Sequence, residues 1–343
     1  MENLFKLVPF SLKVGYLGWG GMGARHASNL TYMVAAAEVT AIMDVDSARA
    51  EEIAARCGGA KIYSEADQLI SAPEVDAVVV AAPNRFHAEL TRACIAAGKP
   101  VLCEKPLATG GVEAGGVIDA EVAGGRRLVQ VGLMRQFDPA HVAVKRVSDS
   151  GAQGSALVFR SVHINPSSDE VPSLGDVITG SLIHDIHSAR WMMEDEIVRV
   201  HTSFIPFSAN RPESARYVMV QLEFAGGALG GLECNAAAGY GYEIEVSITG
   251  ESGVVRSSPL QSPVVRHSNA SGQWVEEDWL QRFSEAYIIE VQAWVQSILD
   301  GDATGPSAWD GYVSILTADA CIESGKRGQP VSLDLPKKPD LYG

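Results

Sequence analysis

Residues 12–23 read Leu12-Lys13-Val14-Gly15-Tyr16-Leu17-Gly18-Trp19-Gly20-Gly21-Met22-Gly23. The apolar first half fits a buried strand, and the second half matches GxGxxG at the point where a strand hands over to a helix. Each glycine has a mechanical task. Gly18 permits the tight turn, Gly20 lets the backbone approach a pyrophosphate, and Gly23 lets helix and strand pack closely. The helix N-terminus that follows offers unpaired N–H groups and a partial positive charge. A chain with 34 glycines matches this pattern easily by chance, so the neighbouring sequence decides.

Further apolar runs at 38–43, 76–82, 100–103 and 127–133 alternate with Ala-rich helical stretches at 22–35, 47–56, 64–70, 87–97 and 110–123. That βαβα order predicts an N-terminal Rossmann dinucleotide-binding domain over 1–134, built on a doubly wound parallel sheet. Asp44 closes the second strand 21 residues after Gly23, where a carboxylate accepts bonds from a ribose and repels a 2′-phosphate. The cofactor expected is therefore NAD, with NADP disfavoured. Arg49 is the nearby cation that would reverse this. Asp46 reads as the N-cap of helix 47–56.

From 135 the pattern changes. Asp138-Pro139 opens a helix as N-cap and N1. Period-two alternation then runs through 217–224 and 242–249, with a hairpin turn at Gly226-Gly227. Half-buried antiparallel strands of this kind predict a C-terminal α+β domain, 135–343, with a large, mostly antiparallel open sheet. The fold class is α/β overall. Helices near 181–193, 284–299 and 307–324 are expected to cover one sheet face, and 336–343 reads as a loose tail or an arm.

Composition narrows the functions. A length of 343 residues suggests two domains, and 27 basic against 42 acidic residues give a net charge of −15, which disfavours nucleic-acid binding. Five scattered cysteines without a CxxC pair argue against a zinc ribbon or disulfide framework and for a reducing compartment. No run approaches a membrane span, and the opening residues lack a signal-peptide core. The expectation is a soluble cytoplasmic protein.

The glycine loop together with Ala82-Pro83-Asn84-Arg85-Phe86-His87 and Glu104-Lys105-Pro106 resembles the Gfo/Idh/MocA family, the glucose–fructose oxidoreductase and inositol dehydrogenase group. The resemblance covers nearly the whole chain. It implies a cofactor site formed by Gly18, Trp19, Gly20, Gly21, Met22, Gly23 and Asp44, with Ala82, Pro83, Asn84, His87, Glu104 and Lys105 lining the nicotinamide. The second half is most similar to inositol dehydrogenases. Met134, His163, Asn165, Tyr240 and Tyr242 fall where those enzymes touch a polyol, and His184 falls at their catalytic histidine. Two departures stand out: Gly180 replaces an Asp four residues before the histidine, and His187 replaces one three residues after it. Asp176 and His187 are the candidates to fill the gap.

These residues suit oxidation of a ring hydroxyl of a cyclic polyol or sugar. His184 is the general base and Lys105 orients the oxygen and stabilises its developing charge. His87 reads as a helix cap or a support of the cofactor loop. Tyr240 and Tyr242, two apart, are expected to share a strand face. His184 and His187 lack a third ligand nearby, so no metal is expected. A sugar dehydrogenase or ketoreductase is the alternative within enzymes, and a non-catalytic NAD-binding regulator the alternative outside them. The uncovered sheet face suggests a homodimer or homotetramer.

Overall fold

The computed structural model describes residues 11–18, 20–258 and 264–343. Trp19 lies outside the described residues. The chain divides into two compact units: 1–134 with 287–315 and 337–343, and 135–286 with 316–336. The two returns to the first unit are not evident in the sequence, and they have a packing cause. Val291, Trp294 and Val295 complete the core that Val14, Tyr16, Ile42, Val79 and Leu102 begin. The helix Ser284–Asp300, expected against the second sheet, thus packs its apolar face in the first unit.

In the first unit, β1 (Leu12–Leu17), β2 (Ala37–Met43), β3 (Lys61–Ile62), β4 (Ala77–Val80), β5 (Val101–Cys103) and β6 (Val129–Val131) form a parallel sheet of order β3-β2-β1-β4-β5-β6. This is the doubly wound order, whose strand ends open a crevice between β1 and β4 where the winding reverses. The central strands are apolar on both faces, as helix-covered parallel strands must be. The two-residue β3 has no alternation to read and was not anticipated. Asp46 caps the helix Ser47–Arg56 by accepting from the Arg49 amide at 3.2 Å, as expected. The C-terminal segment is anchored: Tyr342 is buried and its hydroxyl meets Glu121 Oε2 at 2.6 Å, which corrects the reading of 336–343 as a loose tail.

The second unit holds β7 (Ala156–Pro166), β8 (Ile197–Ile205), β9 (Tyr217–Phe224), β10 (Leu229–Ala238), β11 (Glu243–Gly250) and β12 (Val254–Arg256). A separate hairpin, β13 (Val264–His267) with β14 (Ala270–Gln273), follows, and β15 (Val331–Ser332) completes the large sheet. The sheet order is β12-β11-β7-β10-β9-β8-β15, antiparallel except where β7 lies parallel to β10. Gly227, at φ +90°, turns β9 into β10 as the paired glycines predict. Phe159, Val218, Val220, Leu222, Val246 and Ile248 project to one face, where Leu182, Ile186, Ala189 and Cys321 from the helices cover them. Among the described residues no helix is long and apolar enough to cross a membrane.

Candidate active site

The glycine loop of the first unit explains its own composition. Gly18 has φ +85°, and a Cβ there would come within 2.5 Å of the Ala82 backbone, so only glycine fits. A Cβ on Gly23 would meet the Gly18 carbonyl oxygen at 2.7 Å, which is the close helix–strand approach expected of the third glycine. Gly20 differs: its Cβ would meet only Ala81 O, at 3.9 Å, and a side chain there would fill the cleft that the loop borders. The helix Gly21–Met33 begins with no side-chain cap and no acidic residue in its first turn. Its N-terminal N–H groups therefore keep their positive field for an anion.

That cleft, of about 530 Å³, is lined by Gly18, Gly20, Asp44, Ala82 and Pro83 from the expected set, and also by Arg49, Glu65, Arg85, Phe86 and Glu89. Among the described residues its lining does not include Met22, Gly23, Asn84, His87, Glu104 or Lys105. The Asp44 carboxylate is almost buried and accepts from the Asp46 amide at 2.9 Å. Arg49 Nη2 lies 3.4 Å from Asp46 and its Nη1 lies 4.0 Å from Asp44, so this cation is already engaged with carboxylates. The site fits a dinucleotide with a free ribose 2′-hydroxyl: a glycine cradle at a helix N-terminus, with a buried carboxylate at the second strand end.

His87 and Glu104 lie behind the cleft as supports. His87 Nδ1 is 2.7 Å from Pro106 O and its Nε2 is 2.7 Å from Ala82 O, so one ring ties the two loops together. Burial opposes a charge on this ring, but neighbouring Cys103 and the two carbonyls outweigh it and hold the imidazole up at about 9. Glu104 is buried, with Oε1 on His26 Nε2 at 2.5 Å and Oε2 accepting from the Lys105 amide at 3.1 Å. Burial would raise this carboxyl, yet the His26 contact and the charges of Lys105 and His87 keep it below the usual range. Lys105 itself is half-buried on the loop that these contacts fix. Sequence reasoning missed His26, which falls inside an ordinary helical pattern.

In the second unit His163 and Asn165 meet the segment that carries His184. A π-helical turn, Ile178–Leu182, leads into the helix Ile183–Met193, which carries His184 and Asp185. Asp185 is fully buried and bonds the Arg135 guanidinium, the Ser161 hydroxyl and His163 Nδ1, the last at 2.8 Å. Burial would raise this carboxyl, but Arg135 and then His163 hold it far below the usual range. Burial lowers His163 against the pull of Asp185. Tyr242 packs edge-on against His163, its hydroxyl 3.4 Å from Nε2. Asn165 donates to Ser181 Oγ at 3.0 Å and so ties β7 to the π-turn before His184. His184 is 7% exposed and Met134, in the first unit, is buried.

Two expectations change. Tyr240 and Tyr242 do not share a face: Gly241, at φ +129°, breaks the extended run, β11 begins only at Glu243, and Tyr240 is 56% exposed while Tyr242 is 3% exposed. Asp176 does not stand in for a carboxylate at 180, because it forms a capping box with Ser173. The carboxylate that the structure does bury here is Asp185, adjacent to His184, and its partner Arg135 follows Met134 directly. Both went unread because a charged pair buried in a core leaves no periodic signal. Among the described residues no group of three or more His, Cys, Asp or Glu side chains is placed to hold a metal ion.

A dinucleotide cleft of this form, followed by a mixed-sheet unit with a buried polar network, is the architecture of a two-part oxidoreductase. The family model for an oxidoreductase family with an NAD-binding Rossmann fold matches residues 12–133, and that for the same family's C-terminal alpha/beta domain matches 167–333. The chain belongs to the Gfo/Idh/MocA family of NAD-binding oxidoreductases. It is 44% identical over 336 residues to the inositol 2-dehydrogenase of Rubrobacter xylanophilus, covering 96% of each chain. It is 37% identical over 335 residues to that of Klebsiella pneumoniae, covering 97% of this chain and 99% of the relative. Its structure is similar to the myo-inositol dehydrogenase from Lactobacillus casei in complex with NAD(H) and myo-inositol. The TM-score is 0.93 at 31% identity, over 97% of this chain and 100% of that one.

Proposed function

We propose that the chain oxidises a ring hydroxyl of an inositol-type cyclic polyol to a ketone. The observation that carries this is the 44% identity to an inositol 2-dehydrogenase over 96% of both chains. NAD, when bound, supplies the hydride acceptor. Lys105 supplies the cation that orients the substrate oxygen and offsets its developing charge. His184 takes the hydroxyl proton as general base. His163, Asn165 and Tyr242 bind the polyol, and Met134 with the more exposed Tyr240 completes the substrate contacts. Trp19, Gly21, Met22, Gly23 and Asn84 join the cleft-lining glycines, Ala82, Pro83 and Asp44 in holding the dinucleotide. The buried Asp185–Arg135–Ser161 network fixes the helix under His184, a positioning role that a solvated carboxylate would fill less rigidly.

The same reading makes the protein a cytoplasmic homodimer or homotetramer. Supporting the association, Ile205, Met219 and Leu229 lie more than half exposed on the sheet face that no helix covers among the described residues. The cysteines, all free, suit a reducing compartment.

Initial rates of nicotinamide reduction test the proposal, with NAD or NADP against myo-, scyllo- and chiro-inositol, glucose, galactose and xylose. The expected result is turnover with NAD and at least one inositol. His184→Asn and Lys105→Met should each lower kcat by about 10²–10⁴-fold while NAD still binds. Rates with sugars alone would move the assignment to a sugar dehydrogenase. NAD binding without any turnover would favour a regulator.

A further inference from the structure

A second cleft, of about 390 Å³, opens in the first unit and shares no lining residue with the nucleotide cleft. It lies between the segment 125–130, which leads into β6, and the C-terminal half of the helix Ser284–Asp300. Gln130 pairs in register with Leu102. Its side chain therefore projects to the face of the sheet that Trp294 and Val295 cover, and Trp294 lines the same cleft. Gln130 is 2% exposed there, and neither its amide oxygen nor its amide nitrogen has a hydrogen-bond partner among the described residues. Leaving both halves of a buried amide unpaired is costly, and a bound polar group would relieve it.

The charge beside it is positive. Arg126 and Arg127 both line the cleft against a single carboxylate, Asp302. Arg127 donates to the Gly305 carbonyl at 3.4 Å and its Nε has no partner among the described residues. In a molecule of net charge −15, two adjacent arginines at a cleft favour an anion there, with Arg127 also interacting with the buried Glu121. The volume falls within the range of small-molecule pockets, about 300–1,000 Å³.

We propose that this cleft binds a small hydroxylated anion, a phosphorylated or carboxylated polyol. Arg126 and Arg127 meet its charge, and the Gln130 amide exchanges hydrogen bonds with one of its hydroxyl groups. Calorimetric titration of the full chain, with saturating NAD to fill the other cleft, tests this with glycerol 3-phosphate, gluconate and neutral glycerol. The expected result is saturable binding of at least one anion at about millimolar affinity or tighter, and none of glycerol. Which anion binds distinguishes phosphate from carboxylate. Arg126→Ala and Gln130→Leu should each weaken that binding by about tenfold or more. Arg126 is exposed, so its variant decides the matter if Gln130→Leu does not fold. Failure of both anions to saturate, or binding unchanged in Arg126→Ala, would overturn the proposal.

Discussion

Both ring nitrogens of His87 face carbonyl oxygens, and a carbonyl only accepts, so the imidazole satisfies both only as the cation. A folded-state value of about 9 lies above the unfolded value of about 6.5. The stabilisation is therefore complete below about pH 6.5 and is lost as the pH rises through about 9, amounting to a few kcal/mol at most. Chemical denaturation of wild type and His87→Gln should show a stability gap that narrows across that window. A gap independent of pH would show that the ring is neutral throughout. The sequence indicated a supporting histidine, since His87 opens a helix beside a cofactor loop, but not its two partners. Pro106 O is 19 residues away, and no local pattern encodes such a contact. The same holds for Asp185, whose neighbour His184 drew the reading while its own partners lie on β7 and at Arg135.

At the scale of elements, the segment 178–193 concentrates the unusual features. The π-turn holds Gly180, and a Cβ built there meets no atom within 4 Å. Its backbone angle is not in the left-handed region, so glycine gains nothing from its freedom here. Gly180→Ala should stabilise the fold by about 0.4–1 kcal/mol, read as a higher denaturation midpoint. A loss of stability would mean that the turn depends on glycine. Asp185→Asn leaves the Arg135 guanidinium buried without its counter-charge, and the expected cost is about 3–5 kcal/mol. A change below about 1 kcal/mol would place the pair in the range of solvent-screened surface bridges. Periodicity revealed the helix over 181–193 and the alternating strands of the second sheet. It did not reveal the π-turn, whose hydrogen bonds span one residue more than those of an α-helix, or the two-residue β3, which is too short to carry a period.

For the whole molecule, the doubly wound parallel class of the first sheet and five of its six strands were legible because buried parallel strands alternate with their helices. The chain's later path was not legible. An apolar helix face, such as that carrying Val291, Trp294 and Val295, states that it is buried but not against which sheet. Family membership, the cleft around Gly18, Gly20 and Asp44, and the buried network of His163 and Tyr242 support the proposed reaction, transfer of a ring hydrogen to NAD. The most direct measurement follows that hydrogen. Myo-inositol deuterated at its ring carbons is incubated with NAD and the enzyme, and the reduced dinucleotide is weighed by mass spectrometry. One deuterium gained per NADH formed is the expected result. NADH without deuterium, or NAD left unreduced while the inositol is consumed, would contradict it.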